Sequence, residues 1–265
     1  MAKGNRLTIY PSVFADDDIE LTIESNDRCR HCPYGHYKVK MTTGSRSNII
    51  KKPTFLKGKR KHDSVQPTDV LFWTGGKKSL LALLHLKSLQ NSNFITLLTT
   101  VDSADGSLPY QGVSTDEVMD HSIFFGLDHL IVPVVKNCTN EEYLKQIQEG
   151  LGVLQNLYDS NARLVFGDLH PGDLYEWKMR SFPQETYFPL LNVPFKSLID
   201  TLFSQPNIKM KITACALQSS QRNPPLSVKV GDDYDLSVAL AEEAQLSSTS
   251  SEVAIGDLFH TVVRM

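Results

Sequence analysis

A chain of 265 residues, 41% hydrophobic and with a formal net charge of −3, has the composition of an ordinary globular protein and the length for one large domain or a domain with an appendage. No apolar run approaches the roughly 20 residues needed to cross a bilayer, and the opening Met-Ala-Lys-Gly-Asn-Arg-Leu lacks the apolar core of a secretory signal, so a cytoplasmic location without a membrane role is expected. In that setting Cys29, Cys32, Cys138 and Cys215 are expected to stay reduced or to bind metal rather than to form a disulfide framework.

Taken in order, Leu7–Tyr10 and Ile19–Ile23 are short alternating stretches that can pair as a small hairpin. A C-x-x-C pair follows, Cys29 and Cys32, with His31 and His36 close by. Two thiolates at this spacing can hold a zinc ion or an iron centre, and His36 and His62 are candidates for the remaining ligands of a closed zinc site. Between Arg28 and His62 stand eleven Lys or Arg and no Asp or Glu. That asymmetry fits an acidic partner, RNA or an acidic protein surface, and fits equally a solvated tail. Residues 41–67 are polar and basic and are broken by Pro53, Gly58 and Pro67, which reads as a linker. The expected division is an extension over 1–67 and a domain over 68–265.

From Asp69 onward strand and helix patterns alternate, which implies βαβ crossovers and an α/β fold with a mainly parallel sheet. The expected strands are Val70–Trp73, Phe94–Val101, His129–Val135, Arg163–Phe166 and Lys209–Cys215. The expected helices are Ser79–Leu89, Ser114–Phe125, Asn140–Asp159, Leu174–Phe182 and Phe195–Phe203. Ligands of open α/β sheets bind outside the carboxyl ends of the strands, so the loops leaving the strands are where chemistry is sought.

The first such loop is Thr74-Gly75-Gly76-Lys77-Lys78-Ser79, between an apolar strand and an apolar helix. Helix N-terminal amides attract anions and glycines admit a phosphate close to the backbone. Two lysines and two hydroxyls add charge and donors. The loop matches neither the dinucleotide G-x-G-x-x-G nor the G-x-x-x-x-G-K-[ST] spacing, and a plain strand-to-helix turn is the alternative. In the second loop Asp102 can hold a magnesium-bound water or a nucleotide hydroxyl, or can simply cap its own turn. A later exit loop places Gly167, Asp168, His170, Asp173 and Arg180 within a few residues. There a carboxylate can orient magnesium or a nucleophile, an imidazole can act near neutral pH, and an arginine can pair with an anion. Their ordinary alternatives are a helix cap, a structural histidine and a surface salt bridge.

The loop at Thr74–Ser79 resembles the S-G-G-x-D-S loop of the PP-loop ATP pyrophosphatases, and the order of later motifs resembles one branch of them, the diphthine-ammonia ligases. Leu98-Thr-Thr-Val-Asp102 is similar to the second-strand exit of that family. Val113–Val118 through Phe125-Gly-Leu-Asp-His-Leu130 is similar to its next helix and strand, and Val165-Phe-Gly-Asp168 to its strand-GD element. Phe188-Pro-Leu-Leu191 is similar to its P-L-W segment, and Gly256-Asp-Leu-Phe-His260-Thr261 to its G-E-x-G-E-F-H-T string. The resemblance spans about residues 69 to 265; Lys78 stands where the family loop has Asp.

The resemblance implies a three-layer α/β/α, Rossmann-like fold of the adenine nucleotide alpha-hydrolase type. It implies ATP and Mg2+ as cofactors and an AMP- and pyrophosphate-forming ligase that adenylates a carboxylate and amidates it with ammonia. The acceptor it implies is the diphthine of elongation factor 2. Thr74, Gly75, Gly76, Lys77, Lys78, Ser79, Asp102 and Gly167 would then bind the nucleotide, and Asp168, His170 and His260 would serve the reacting centre. Two other readings stand beside it: an RNA-modifying PP-loop enzyme, favoured by the basic stretch and the C-x-x-C, and a non-catalytic ATP-binding relative, favoured by Lys78.

Overall fold

In a computed structural model of the chain, the residues described are 9–10, 20–25, 37–42, 52–58, 68–89, 94–109, 111, 113–158, 162–215, 228–247 and 259–264. Four strands, β1 (Ile9–Tyr10), β2 (Glu20–Ser25), β3 (Tyr37–Thr42) and β4 (Thr54–Leu56), precede β5 (Thr68–Phe72). The alternating part follows as α1 (Lys77–Ser88), β6 (Phe94–Asp102), α2 (Thr115–Phe125), β7 (Asp128–Val134), α3 (Asn140–Tyr158), β8 (Ala162–Val165), α4 (Asp173–Ser181), β9 (Thr186–Tyr187) and α5 (Phe195–Phe203). The chain closes with β10 (Lys209–Cys215), α6 (Leu236–Ser247) and β11 (Phe259–Arg264). These elements make a mainly parallel sheet flanked by helices, the Rossmann-like α/β fold that the alternating pattern requires.

The chain forms two compact units, and β5 contributes to both. The first comprises residues 1–70, 92–109 and 114–162, with hydrogen-bonded strand order β1-β4-β7-β6-β5. Strands β6 and β7 run parallel, from Thr96 opposite Asp128 to Asp102 opposite Val134. All seven residues of β7 are buried, as a parallel strand covered on both faces should be. Helix α2 begins where a local signal says it should: Ser114 and Glu117 form a capping box, each side chain taking a backbone amide of the other.

The N-terminal expectations need correction here. Strand β1 pairs antiparallel with β4, and β2 pairs antiparallel with β3 in a separate ribbon, so the stretches around Leu7–Tyr10 and Ile19–Ile23 do not form a hairpin with each other. Part of the expected linker is also structured. Thr54–Leu56 pairs antiparallel with β7, and Phe55 and Leu56 are buried, because a place in the sheet removes these two apolar side chains from water whereas a linker leaves them exposed.

The second unit comprises residues 71–91, 110–113 and 163–265, with strand order β5-β8-β9 and β8 parallel to β9. It holds an aromatic cluster: Phe72 stacks on Phe166 at 4.4 Å between ring centroids, Phe166 stacks on Phe188 at 5.4 Å, and Phe182 packs beside Phe72 and Phe166. Helix α1 packs against α5 and β11, and α5 against α6. Strand β10 forms where expected but not in the parallel sheet. It pairs antiparallel with β11 in its own ribbon, Lys209 opposite Arg264 and Cys215 opposite Phe259. The buried Phe259 and Val263 of β11 with Met210 and Ile212 of β10 give that ribbon an apolar side of its own.

Candidate functional site

The second unit carries the glycine loop. Trp73 is buried at the end of β5, Thr74 is exposed, Gly75 has φ +71°, and Gly76 caps α1 in an extended conformation. The helix starts at Lys77, two residues before the expected Ser79, so both lysines and Ser79 lie in its first turn. Gly76 has no side chain to offer as a cap; Thr261 of β11 supplies one, its Oγ1 accepting from Lys77 N at 3.0 Å. Val263 N donates to Gly75 O at 2.7 Å. A Cβ on Gly76 would lie 2.9 Å from the Thr261 carbonyl oxygen, so the close passage of β11 is itself a reason for glycine at this position. Ser79 Oγ donates to Gly76 O at 3.0 Å and lies 3.5 Å from Thr74 Oγ1, which ties the loop to its own helix.

The two adjacent lysines part company. Lys77 is 7% exposed, and its Nζ donates to Glu242 Oε1 and Oε2 at 3.3 and 3.2 Å and to Phe259 O at 3.0 Å. It also stands 4.3 Å over the ring of Tyr234. Tyr234 donates its hydroxyl to Glu242 Oε2 at 2.6 Å; burial first, and then the Glu242 carboxylate, hold this phenol protonated far above its usual range. The Lys77 ammonium therefore serves a buried network with α6, and Lys78 is the loop lysine that remains partly exposed.

The β8 exit packs on this same turn. A Cβ on Gly167 would meet Lys78 O at 2.8 Å and Lys78 C at 2.9 Å, so glycine lets the exit loop lie against the first turn of α1. The next residue, Asp168, receives Lys178 Nζ on both oxygens, at 2.9 and 2.7 Å, with the two side chains 19% and 16% exposed. Lys178 also stands 4.7 Å over the Phe166 ring. Burial lowers the Lys178 pKa, the Asp168 carboxylate opposes that, and Lys78 adds to the lowering.

The structure thus brings Gly75, Gly76, Lys77, Lys78, Ser79, Gly167 and Asp168 together, with Thr74 at the loop edge. His170 and Asp173 are exposed at the start of α4, which is capped by the Gly172 backbone without a side-chain bond. Arg180 pairs with Glu176 one turn away, at 2.9 Å and well exposed, the ordinary surface alternative. His260 is exposed on β11 opposite Ala214. Asp102 belongs to the first unit, where its buried carboxylate accepts from Ala104 N at 2.8 Å and caps its own turn. Cys29 and Cys32 lie outside the described residues, as does most of the basic stretch. Among the described residues no group of three His, Cys, Asp or Glu is arranged to hold a metal ion.

Lys178, Glu242 and Tyr234 were not singled out from the sequence. Lys178 lies ten residues beyond its partner and Glu242 lies 165 beyond Lys77, spacings that no local pattern reports. The one available signal for Glu242 was an acidic pair in a mainly apolar helix.

No protein-family model and no curated protein matches the sequence. Among solved structures the chain is similar to one described as the predicted subunit of tRNA methyltransferase from Methanocaldococcus jannaschii, at 15% identity and a TM-score of 0.32, over 73% of this chain and 97% of that one.

Proposed function

We propose that the glycine loop and the β8 exit together bind the phosphates of ATP. The observation that carries this is the packing of Gly167 on the first turn of α1, which sets two neighbouring strand exits, the glycine pair and the backbone of Lys78 at one place, beside the Asp168 that Lys178 engages. Strand exits are where open α/β sheets take their ligands, and lysine ammonium groups are ordinary phosphate partners. The resemblance of the same loop to PP-loop pyrophosphatases supports ATP in particular.

The finer reading is an AMP-forming carbon–nitrogen ligase. A carboxylate oxygen of the acceptor attacks the α-phosphorus, the bond to the bridging oxygen breaks, and pyrophosphate leaves. Ammonia then attacks the acyl carbon, AMP departs with the bonding pair, and a proton is lost to leave an amide. Lys78 and the loop amides stabilise the charge that builds on the leaving pyrophosphate. The acceptor under this reading is the diphthine of elongation factor 2. A second reading, ATP binding without catalysis, is favoured by the engagement of both Asp168 oxygens by Lys178.

Calorimetric titration with ATP, followed in the same sample by assay of AMP and pyrophosphate with and without elongation factor 2 carrying diphthine, tests both readings. Acceptor-dependent AMP is the expected result for the ligase. ATP binding without AMP for any acceptor selects the non-catalytic reading, and absence of ATP binding overturns the phosphate site itself.

A further inference from the structure

We infer that Thr261 of β11 is a phosphate-binding residue of the glycine loop: its hydroxyl takes the first amide hydrogen of α1 and passes its own hydrogen to a phosphate oxygen of the nucleotide. The inference rests on the nucleotide reading above and assigns to that same site a residue 184 positions beyond Lys77.

Anions at a helix N-terminus are held by the free amides of the first turn. Here the first of those amides is taken, since Lys77 N donates to Thr261 Oγ1 at 3.0 Å. A hydroxyl has one hydrogen to give besides the lone pairs it offers. Among the described residues, the side chain of Thr261 makes no hydrogen bond in which that hydrogen is donated. The residue is only 3% exposed, so bulk water is a poor substitute for an acceptor. A buried hydroxyl hydrogen without an acceptor is a cost that a ligand oxygen removes, and a hydroxyl that already accepts a hydrogen bond is the stronger donor.

The surroundings of Gly76 show where that hydrogen is available. A Cβ on this glycine would lie 2.9 Å from Thr261 O, 3.4 Å from Thr74 Oγ1 and 3.8 Å from Thr261 Oγ1. Two threonine hydroxyls, one just after β5 and one on β11, therefore flank the same bare glycine. The Thr261 carbonyl closes on that glycine and has no hydrogen to give, and Val263 N is already committed to Gly75 O at 2.7 Å. Thr74 is exposed and opens the pair to solvent. Ser79 Oγ spends its hydrogen on Gly76 O and stands 3.5 Å from Thr74 Oγ1, too long for a strong bond, so Thr74 also keeps a hydrogen for a better acceptor. Two hydroxyl donors beside a helix N-terminus suit the oxygens of a phosphate group, in ATP or in inorganic pyrophosphate.

The test is calorimetric titration of the full chain and three variants with ATP. Thr261→Ser keeps both acceptor and donor, Thr261→Asp keeps an acceptor for Lys77 N but at neutral pH has no hydrogen to donate, and Thr261→Val keeps neither. Parent affinity is expected for Thr261→Ser, an affinity lower by about tenfold for Thr261→Val, and no recovery for Thr261→Asp. ATP bound by Thr261→Val as tightly as by the parent, or more tightly, overturns the inference and leaves the nucleotide reading intact. Recovery in Thr261→Asp makes Thr261 a helix cap alone and overturns it likewise, as does a Thr261→Ser affinity as low as that of Thr261→Val. Absence of binding in the parent overturns the nucleotide reading and the inference with it. Where circular dichroism shows Thr261→Val or Thr261→Asp to be unfolded, the folded one of the two is compared with Thr261→Ser and judged by the same outcomes.

Discussion

Each compact unit buries a basic side chain, and the two do so by opposite means. In the second, Lys77 is met by both oxygens of Glu242 from α6, and Tyr234 gives that carboxylate a further donor. In the first, His129 on β7 is fully buried and shares a 2.8 Å hydrogen bond between Nε2 and the Thr99 hydroxyl, while Nδ1 has no partner among the described residues. Burial, with a smaller contribution from His121, pushes its pKa down to about 3, so this imidazole is neutral in the folded protein. A buried charge survives where its counter-charge is buried with it, and the group is otherwise neutral. The ionised arrangement is the one that borders the glycine loop, where it fixes a helix N-terminus to two elements remote in sequence.

Glu242→Gln is the sharpest way to break the contrast. It leaves the Lys77 ammonium buried beside a neutral amide, and a loss of about 3–5 kcal/mol in stability is expected from chemical denaturation. Combining it with Lys77→Met is expected to recover much of that loss, since replacing both members of a buried pair by groups of similar volume is often nearly neutral.

Acid titration probes the other half of the comparison. The folded-state pKa of His129 is depressed, so the unfolded chain takes up a proton below the ordinary value of 6.5 and the folded one does not until about 3. Stability is full above that ordinary value and is lost as pH falls through the window between the two, by about 1.4 kcal/mol per pH unit from this residue. His129→Gln is expected to flatten that slope in denaturation curves taken at successive pH values.

Two smaller effects sharpen the account of the loop. Thr261→Val keeps the shape but removes the acceptor for Lys77 N, and a loss of about 1 kcal/mol is expected, with faster amide exchange at Lys77. Arg180→Ala breaks only an exposed pair, and a change of about 0.5 kcal/mol or less is expected, with ATP affinity unchanged.

Legibility followed the range of the interaction that decides each feature. The start of α2 was readable because Ser114 and Glu117 cap each other three residues apart. The apolar pattern opens α1 at Ser79, but Thr261 of β11 supplies an acceptor for the Lys77 amide, and the helix opens two residues sooner. Strand β4 was missed since three residues between Pro53 and Gly58 are too few for an alternating pattern to show. Strand β10 was found but misassigned to the parallel sheet, because its own residues do not say which strand will lie beside it. At the site, the glycine pair, Gly167 and Asp168 were visible as motif residues, whereas Lys178, Glu242 and Tyr234 acquire their roles only through folding.

The sequence by itself determined the alternating strands and helices from β5 to α4, the loops that leave the strands, and the presence there of glycines and lysines, because these depend on local periodicity and on residues within one turn of each other. It did not distinguish Lys77 from Lys78, which are chemically identical neighbours in one helical turn. Only the tertiary structure assigned the first to a buried carboxylate on α6 and left the second beside Gly167, since side chains one residue apart on a helix point about 100° apart and meet different parts of the fold.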